Sequence, residues 1–313
     1  METMRDIKIR LKSIDSTRQI TESMRMIANR KVQKIKMRMQ ENRPYFEQSA
    51  GIINGVMNNP QAGFDIKENA YITGNDAGTK KALLILITGD RGLCGGYNSN
   101  VIKEAVSLTK KLNENETDFV AIGTKGRDYF RRRQKNILQA FKGLSENPFF
   151  EDAQNICRAA IKMFDEKETD EIYLVFTEYH SMLKQVPRAV RLLPLDTDVI
   201  SQAVKPKAKP NAVKTETENE DKSGINFDMS YDSGEEAFFN YTVSTYICSS
   251  VFGAMLESAV CEQCARMTGM DSAVKNSKKI IESLTLQYNQ MRQGAITQEI
   301  AEIVGGANAV KQD

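Results

Sequence analysis

The sequence predicts an α/β protein whose two ends form a long antiparallel two-helix coiled coil, with a Rossmann-like α/β domain inserted between them. Two observations predict this fold. Near both termini, apolar residues recur every three or four positions, which is the period of a helix that buries one stripe. In the middle of the chain, short apolar runs alternate with amphipathic stretches, a pattern typical of a mostly parallel sheet.

The first segment, 1–58, is predicted to be one helix from about Met4 to about Val56. It has no glycine before Gly51, and its one proline, Pro44, is expected to bend the helix. Most of its surface is polar, so it suits a two-stranded coil better than a globular core. The predicted buried stripe consists of Ile7, Leu11, Ile14, Ile20, Met24, Ile27, Ala28, Val32, Ile35 and Met39.

The second segment, 74–200, is predicted to be the α/β domain. Strands are predicted at 82–88, 118–123, 137–141, 171–179 and within 184–194, and helices at 99–113, 126–134 and 149–167. Because strands and helices alternate at this spacing, we expect a mostly parallel sheet. The following segment, 201–234, is polar and contains two prolines, so it is predicted to be a mobile surface loop.

The last segment, 235–313, is predicted to be helical almost to its end. Its apolar or small residues follow a heptad repeat. The repeat comprises Met267, Met270, Val274, Ser277, Ile281, Leu284, Tyr288, Met291 and Ala295, and the stripe continues through Ile296, Ile300 and Ile303. The first segment carries the other long stripe, so we expect the two ends to pair antiparallel with a left-handed twist. The alternative is that each helix pairs with a second copy of the chain, giving a homodimeric coiled coil.

Composition excludes several classes of protein. A net charge of +2 over 313 residues argues against a bulk nucleic-acid binder. No run approaches the 18 or more apolar residues of a bilayer span, and no signal-peptide core is expected at the N-terminus. Five cysteines without a disulfide framework favour reduced thiols. The stretch 25–43 holds seven basic residues and one acid, so it is either a solvated helix face or a binding face for acidic partners.

The chemical motifs are weak. The turn "GDRGLCGG" (89–96) follows a strand and precedes a helix, but it fits no phosphate-loop pattern, so it is predicted to be a tight turn that needs positive φ. Cys261 and Cys264 form a CxxC without a second pair, which argues against a metal site. His180 is the only histidine, which weakens any catalytic triad. We therefore expect no catalytic, cofactor-binding or metal-binding residue, although a nucleotide-dependent α/β enzyme with helical extensions remains the alternative.

Three blocks of the sequence resemble the gamma subunits of F-type ATP synthases. They occur in the family's order and at suitable spacing, whereas 107–235 is less similar. The blocks are "RDIKIRLKSIDSTRQITESMRMIANRKVQK", "TGDRGLCGGYNSN" and "ARMTGMDSAVKNSKKIIESLTLQYNQMRQGAITQEIAEIVGG".

The resemblance implies a rotating central stalk that has no catalytic site and no cofactor. Its implied partners are three alpha and three beta subunits, the epsilon subunit and the ring of c subunits, with no nucleic acid. Proton flow would turn the c ring, and the stalk would turn with it. The implied location is the cytoplasmic side of a bacterial cell membrane, where the chain is peripheral and is held through the complex.

The resemblance also assigns roles to particular residues. A polar group near the end of the last helix would contact loops of the beta subunit as a transient catch, and it comprises Arg292, Gln293 and Thr297. A neck on the first helix would face acidic loops of the beta subunit, and it comprises Met24, Arg25, Arg30, Lys31 and Lys34. An apolar bearing at the tip would slide in an apolar collar, and it comprises Ile296, Ile300, Ile303 and Val304.

Overall fold

The computed structural model describes residues 3–57, 68–75, 81–112, 116–196 and 234–310, and it describes no side chain at 235 or 305–310. The predicted mobile loop 201–234 therefore lies outside the described residues except for Gly234. The outermost residues of the other three predicted segments also lie outside them.

Six helices and five strands follow one another along the described residues. In chain order, they are α1 (Met4–Met57), α2 (Ala70–Thr73), β1 (Ala82–Ile87), α3 (Tyr97–Lys111), β2 (Thr117–Ile122), α4 (Thr124–Arg131), β3 (Ile137–Phe141), α5 (Phe150–Asp165), β4 (Glu171–Tyr179), β5 (Gln185–Leu193) and α6 (Glu235–Val310). The two long helices and all five predicted strands are confirmed, and the short helix α2 was not predicted.

The chain forms two compact units. The helical unit consists of Met1–Arg30 and Arg266–Asp313, and the sheet unit consists of Lys31–Ala265. The division between them passes through both long helices, whereas the segments predicted from the sequence are bounded by the helix ends.

In the helical unit, α1 and α6 pack along a heptad seam, meaning the a and d positions that face the partner helix. All nine predicted seam positions of α6, from Met267 to Ala295, are buried or half-buried. Glu22 interacts electrostatically with Lys278, and Arg25 with Asp271. Higher numbers on one helix face lower numbers on the other, so the pair is antiparallel. The seam is filled within one chain, which removes the reason for a homodimeric coiled coil.

The predicted stripe on α1 is wrong in its middle. Ile20, Met24 and Ile27 are 58%, 39% and 57% exposed. The step from Ile14 to Ile20 is six residues, which does not fit steps of three and four. Because a helix turns by 3.6 residues, a six-residue step carries the side chain off the buried face.

Polar residues occupy the seam of α1 at this level. Thr21 is buried, and Arg18 and Arg25 are half-buried. These three residues continue the alternating steps of four and three that link Ile14 to Ala28. An arginine is tolerated there because its aliphatic stem covers apolar surface while its guanidinium reaches water.

In the sheet unit, the strands lie in the order β3-β2-β1-β4-β5. The first four are parallel, and β5 runs antiparallel to β4 at the edge. The prediction of a mostly parallel sheet is confirmed. Helical connections between parallel strands place helices on both faces of such a sheet.

The central strand β1 shows how the two faces are filled. All six of its residues are buried. Leu84 and Leu86 pack with residues of α3, β2 and α4, whereas Leu83, Ile85 and Ile87 belong to a core that contains residues of α5, α6 and α1. Because side chains alternate across a strand, two separate cores form on the two faces.

The sheet-unit part of α6 is a core helix. One 18-residue window of α6 has a mean hydropathy of 1.3, and 72% of that window is buried within the fold. No uninterrupted apolar run in the sequence signals this hydropathy. Since α6 packs against the sheet and against α1, where Phe46 stacks on Tyr246 with ring centroids 5.5 Å apart, burial in the protein core accounts for it.

Candidate partner-contact surfaces

The predicted catch lies on the exposed surface of α6 in the helical unit. Arg292, Gln293 and Thr297 are all exposed. Gln293 and Thr297 are four residues apart and are therefore neighbours on one face of the helix. These side chains are available for contact with a partner.

The predicted bearing is exposed as well. Ile296, Ile300, Ile303 and Val304 are 46–70% exposed. The apolar stripe that continues through the three isoleucines is therefore not buried within the chain. The antiparallel register places the beginning of α1 opposite residues 292–296 of α6, so the last turns of α6 have no described residue of α1 to pack on.

The three predicted neck residues in the helical unit differ in their exposure to solvent. Met24 and Arg30 are exposed. Arg25 is half-buried, and its Nη2 lies 2.5 Å from Glu22 Oε1. This hydrogen bond lowers the pKa of Glu22 and raises that of Arg25. Arg25 therefore already has an acidic partner in its own chain.

The two predicted neck residues in the sheet unit also differ in their exposure to solvent. Lys34 is exposed. Lys31 is half-buried, and its Nζ lies 2.7 Å from Glu146 Oε2. Glu146 lies in the loop between β3 and α5, and its other oxygen lies 3.2 Å from Arg91 Nε.

Other basic residues of α1 also bind within the sheet unit. The ammonium of Lys36 lies 4.8 Å from the centre of the Tyr179 ring. Arg38 donates hydrogen bonds to Asn147 Oδ1 at 2.9 Å and to the carbonyl of Pro148. The basic run 25–43 is therefore neither a wholly solvated face nor a continuous free surface.

The turn "GDRGLCGG" is a structural element. Leu93 and Gly95 have φ values of 61° and 54°, which confirms the predicted need for positive φ. Gly89 packs so closely on the carboxylate of Glu262 that a Cβ there would lie 2.9 Å from it. A larger residue at this position would require the buried Glu262 side chain to shift.

Asp90 links the turn after β1 to the N-terminus of α4 and to the loop between β3 and α5. Its Oδ1 accepts a hydrogen bond of 3.0 Å from the amide of Thr124, at the N-terminus of α4. Its Oδ2 accepts bonds from the amide of Gly143 at 2.8 Å and from Ser145 Oγ at 2.9 Å. A helix N-terminus favours an anion, and here the chain supplies its own carboxylate. The N-terminus of α4 is therefore already occupied by an anion of the same chain.

The cysteines are buried thiols. None of the five, including Cys261 and Cys264 of the CxxC, forms a disulfide. Burial raises the pKa values of Cys261 and Cys264, so both stay protonated at neutral pH. Within the described residues, no three histidine, cysteine or acidic side chains are grouped so as to hold a metal ion.

Sequence reasoning missed two residues that organise these contacts. Asp90 was part of a motif that we treated only as a turn, and Glu146 belonged to no motif. The signal for Asp90 was its position, since an acid directly after a buried parallel strand lies at the carboxyl edge of the sheet. No sequence signal pointed to Glu146, because its partner Lys31 is 115 residues away.

Comparisons with known proteins agree with this architecture. The family model described as ATP synthase matches residues 3–310. The ATP synthase gamma chain of Alkaliphilus metalliredigens is 40% identical over 98% of this chain and 99% of its own length. The sodium-ion-specific ATP synthase gamma chain of Acetobacterium woodii is 38% identical over 99% of both chains.

Solved structures show the same fold at lower identity. A chain of the Euglena gracilis mitochondrial ATP synthase is similar with a TM-score of 0.62 and 17% identity, covering 98% of this chain and 94% of that one. A chain of the central stalk and c ring of the Tetrahymena thermophila mitochondrial ATP synthase gives a TM-score of 0.58 at 21% identity, covering 81% and 99%. From the family model and the curated relatives, this chain belongs to the ATP synthase family and, within it, to the gamma chains.

Proposed function

We propose that this gamma chain is the rotating central stalk of its ATP synthase and has no catalytic site of its own. It couples ion flow, which we take to be proton flow, to conformational changes at the catalytic beta subunits. The observation that carries the proposal is the antiparallel helix pair of the helical unit. Its seam is filled within the chain, while a polar and an apolar group remain exposed at the end of α6.

The energies involved favour a mechanical coupler. Moving a two-state site from mostly open to mostly closed requires about 5.5 kcal/mol of differential interaction. One charge that crosses a membrane potential of about 100 mV supplies about 2.3 kcal/mol. Several ions must therefore contribute to each change, and a stiff rotor adds their work without performing chemistry.

Helix pairing provides the stiffness. Two helices with interlocking side chains resist bending and twisting better than one helix does. The seam positions of α6 remain buried or half-buried from Met267 to Ala295. In this proposal, the paired region carries the load, and the unpaired end of α6 makes the contacts.

The polar group at 292, 293 and 297 acts as the catch on the beta subunit. Exposed polar side chains form and break hydrogen bonds with a passing surface at a modest cost in free energy, since water competes for the same donors and acceptors. The apolar group at 296, 300, 303 and 304 acts as the bearing. Apolar contacts are non-directional, so few fixed bonds oppose turning.

The neck contributes through Met24, Arg30 and Lys34, which are exposed. Arg25 and Lys31 also belong to the proposed neck. Each must exchange its internal partner, Glu22 or Glu146, for an acidic loop of the beta subunit. We therefore expect weaker contributions from these two residues.

The proposed partners are three alpha and three beta subunits, the epsilon subunit and the ring of c subunits. The chain would be peripheral on the cytoplasmic side of the cell membrane, held there through the complex. Relatives with matching full-length chains are bacterial gamma chains, which supports this assignment.

The catch is tested by replacing Arg292 and Gln293 with alanine. In membrane vesicles that contain the assembled complex, we expect ATP synthesis to fall while the complex still assembles. A matched control replaces Lys279 and Gln287, which are also exposed on α6, with alanine. Unchanged ATP synthesis in the first variant, or an equal loss in the control, would remove the assigned role.

A further inference from the structure

Two basic residues of α1 hold one loop of the sheet unit. Lys31 binds Glu146 through an ion pair of 2.7 Å. Arg38 binds Asn147 Oδ1 at 2.9 Å and the carbonyl of Pro148. Lys31 and Arg38 are seven residues apart, which is two helical turns, so they lie on the same face of α1. We call these five residues the α1 anchor.

The loop between β3 and α5, which binds α1, is itself held to the sheet by hydrogen bonds. Ser145 is buried and donates a hydrogen bond of 2.9 Å to Asp90 Oδ2. The amide of Gly143 donates to the same oxygen at 2.8 Å. Arg91, next to Asp90, pairs with Glu146 at 3.2 Å. The loop is therefore tied to the turn after β1, which is the central strand of the sheet.

The anchor adds something that the apolar packing of α1 does not. Val32 and Ile35, on the same stretch of α1, are buried in the core. Apolar contacts are non-directional, so the packing of Val32 and Ile35 resists rotation of the helix only through the fit of the side chains. Hydrogen bonds depend on distance and angle, so the anchor fixes the rotation of α1 about its own axis relative to the sheet.

We propose that the α1 anchor transmits torque between the sheet of this gamma chain and its helix α1. The proposal rests on the proposed rotary function. Lys31 is the first residue of the sheet unit along α1, so the anchor lies where the helix enters that unit. Without the anchor, α1 rotates slightly under load, and part of the work is lost before it reaches the catalytic subunits.

The anchor is weakened by the variants Glu146→Gln and Arg38→Gln and by their combination. The matched control is Glu41→Gln, an exposed acid on the same helix. All variants are placed in the assembled complex in membrane vesicles. Two quantities are measured, namely the number of ions pumped per ATP hydrolysed and the hydrogen exchange of amides 31–38.

We expect exchange at 31–38 to be faster by roughly fivefold in each single variant. Glu146→Gln removes the ion pairs of Glu146 with Lys31 and Arg91, and Arg38→Gln removes two hydrogen bonds. The charge-swapped variant Lys31→Glu with Glu146→Lys restores the pair with position 31 but sets a lysine beside Arg91, so exchange should return only partly to the wild-type rate. Fewer ions should be pumped per ATP in the double variant, while the rate of ATP hydrolysis is retained and the control matches the wild type.

Faster exchange with unchanged ions per ATP in the double variant would overturn the proposal, because the anchor would then only stabilise local structure. Unchanged exchange would overturn it as well. A wild-type complex that hydrolyses ATP without pumping ions would instead contradict the proposed rotary function, so the two failures are distinguishable.

Discussion

Asp90 links three segments of the sheet unit through one side chain. Its carboxylate receives three hydrogen bonds, from the N-terminus of α4 and from the loop between β3 and α5. An internal carboxylate needs no ligand and holds three segments together continuously.

The variant Asp90→Asn should destabilise the sheet unit by about 1–3 kcal/mol, because the amide group turns one acceptor into a donor. In either orientation this new donor faces another donor, either the amide of Thr124 or the amide of Gly143 and the hydroxyl of Ser145. Urea unfolding followed by tyrosine fluorescence measures the loss. Asp152→Asn, at the start of α5, is the matched control and should cost less. Equal stabilities of Asp90→Asn and the wild type would contradict this account.

Tyr173 makes the stability of the sheet unit depend on pH in the alkaline range. Burial, together with a hydrogen bond of 2.9 Å to Glu171, raises the pKa of Tyr173 to about 12. The unfolded value is about 10, so the folded state holds this proton more tightly. Its contribution to stability is complete below about pH 10 and is lost as the pH rises towards about 12. Thermal unfolding across this range should show the loss, and Tyr173→Phe should reduce it. Burial also raises the pKa values of Tyr71, Tyr97 and Tyr246, so part of the loss should remain. A Tyr173→Phe profile that matches the wild type would refute the assignment.

At the scale of elements, the two long helices illustrate when a heptad repeat can be recognised from the sequence. On α6 the steps of three and four continue without a break from Met267 to Ala295, and the predicted seam was confirmed at every position. On α1 the apolar residues suggested a jump from Ile14 to Ile20, and the prediction failed there. Arg18, Thr21 and Arg25 are not apolar, so only packing against α6 reveals that they lie on the seam.

The seam of α6 offers a matched pair of leucines two residues apart. Leu284 is 6% exposed and Leu286 is 60% exposed. Leu284→Ala should destabilise the helical unit by about 2–5 kcal/mol because it leaves a cavity, whereas Leu286→Ala should change stability by less than about 0.5 kcal/mol. Hydrogen exchange of amides 280–290 measures both. Similar exchange in the two variants would mean that the seam does not stabilise the unit.

At the scale of the whole molecule, we expect the exposed apolar residues of α1 to form an interaction site. Ile20, Met24 and Ile27 follow one another at steps of four and three, so they form one continuous exposed stripe in the helical unit. A contiguous apolar surface of this kind marks an interaction site more often than an isolated exposed residue does. Only Met24 was assigned to a partner contact from the sequence.

The variant Ile20→Ser with Ile27→Ser should leave the helical unit folded but weaken its association with the alpha and beta subunits. Fully burying one isoleucine contributes about 1.5–3 kcal/mol, which corresponds to roughly tenfold or more in affinity. Reconstitution of the complex at varied concentration of this chain measures the change. Ile7→Ser, at a buried position, is the contrasting control and should unfold the unit. Normal assembly of the double variant would show that the stripe contacts no partner.

The sequence alone determined the helices at both ends, the five strands and the family, because these depend on local periodicity and on contiguous blocks of residues. It did not determine which basic residues of α1 are free. Lys31 and Arg38 look the same as Lys34 in the sequence, yet the first two bind residues more than 100 positions away, and Lys34 remains exposed. Such pairings are set by how the chain folds back on itself, since two residues distant in sequence meet only where the packing of helices and sheet brings them together.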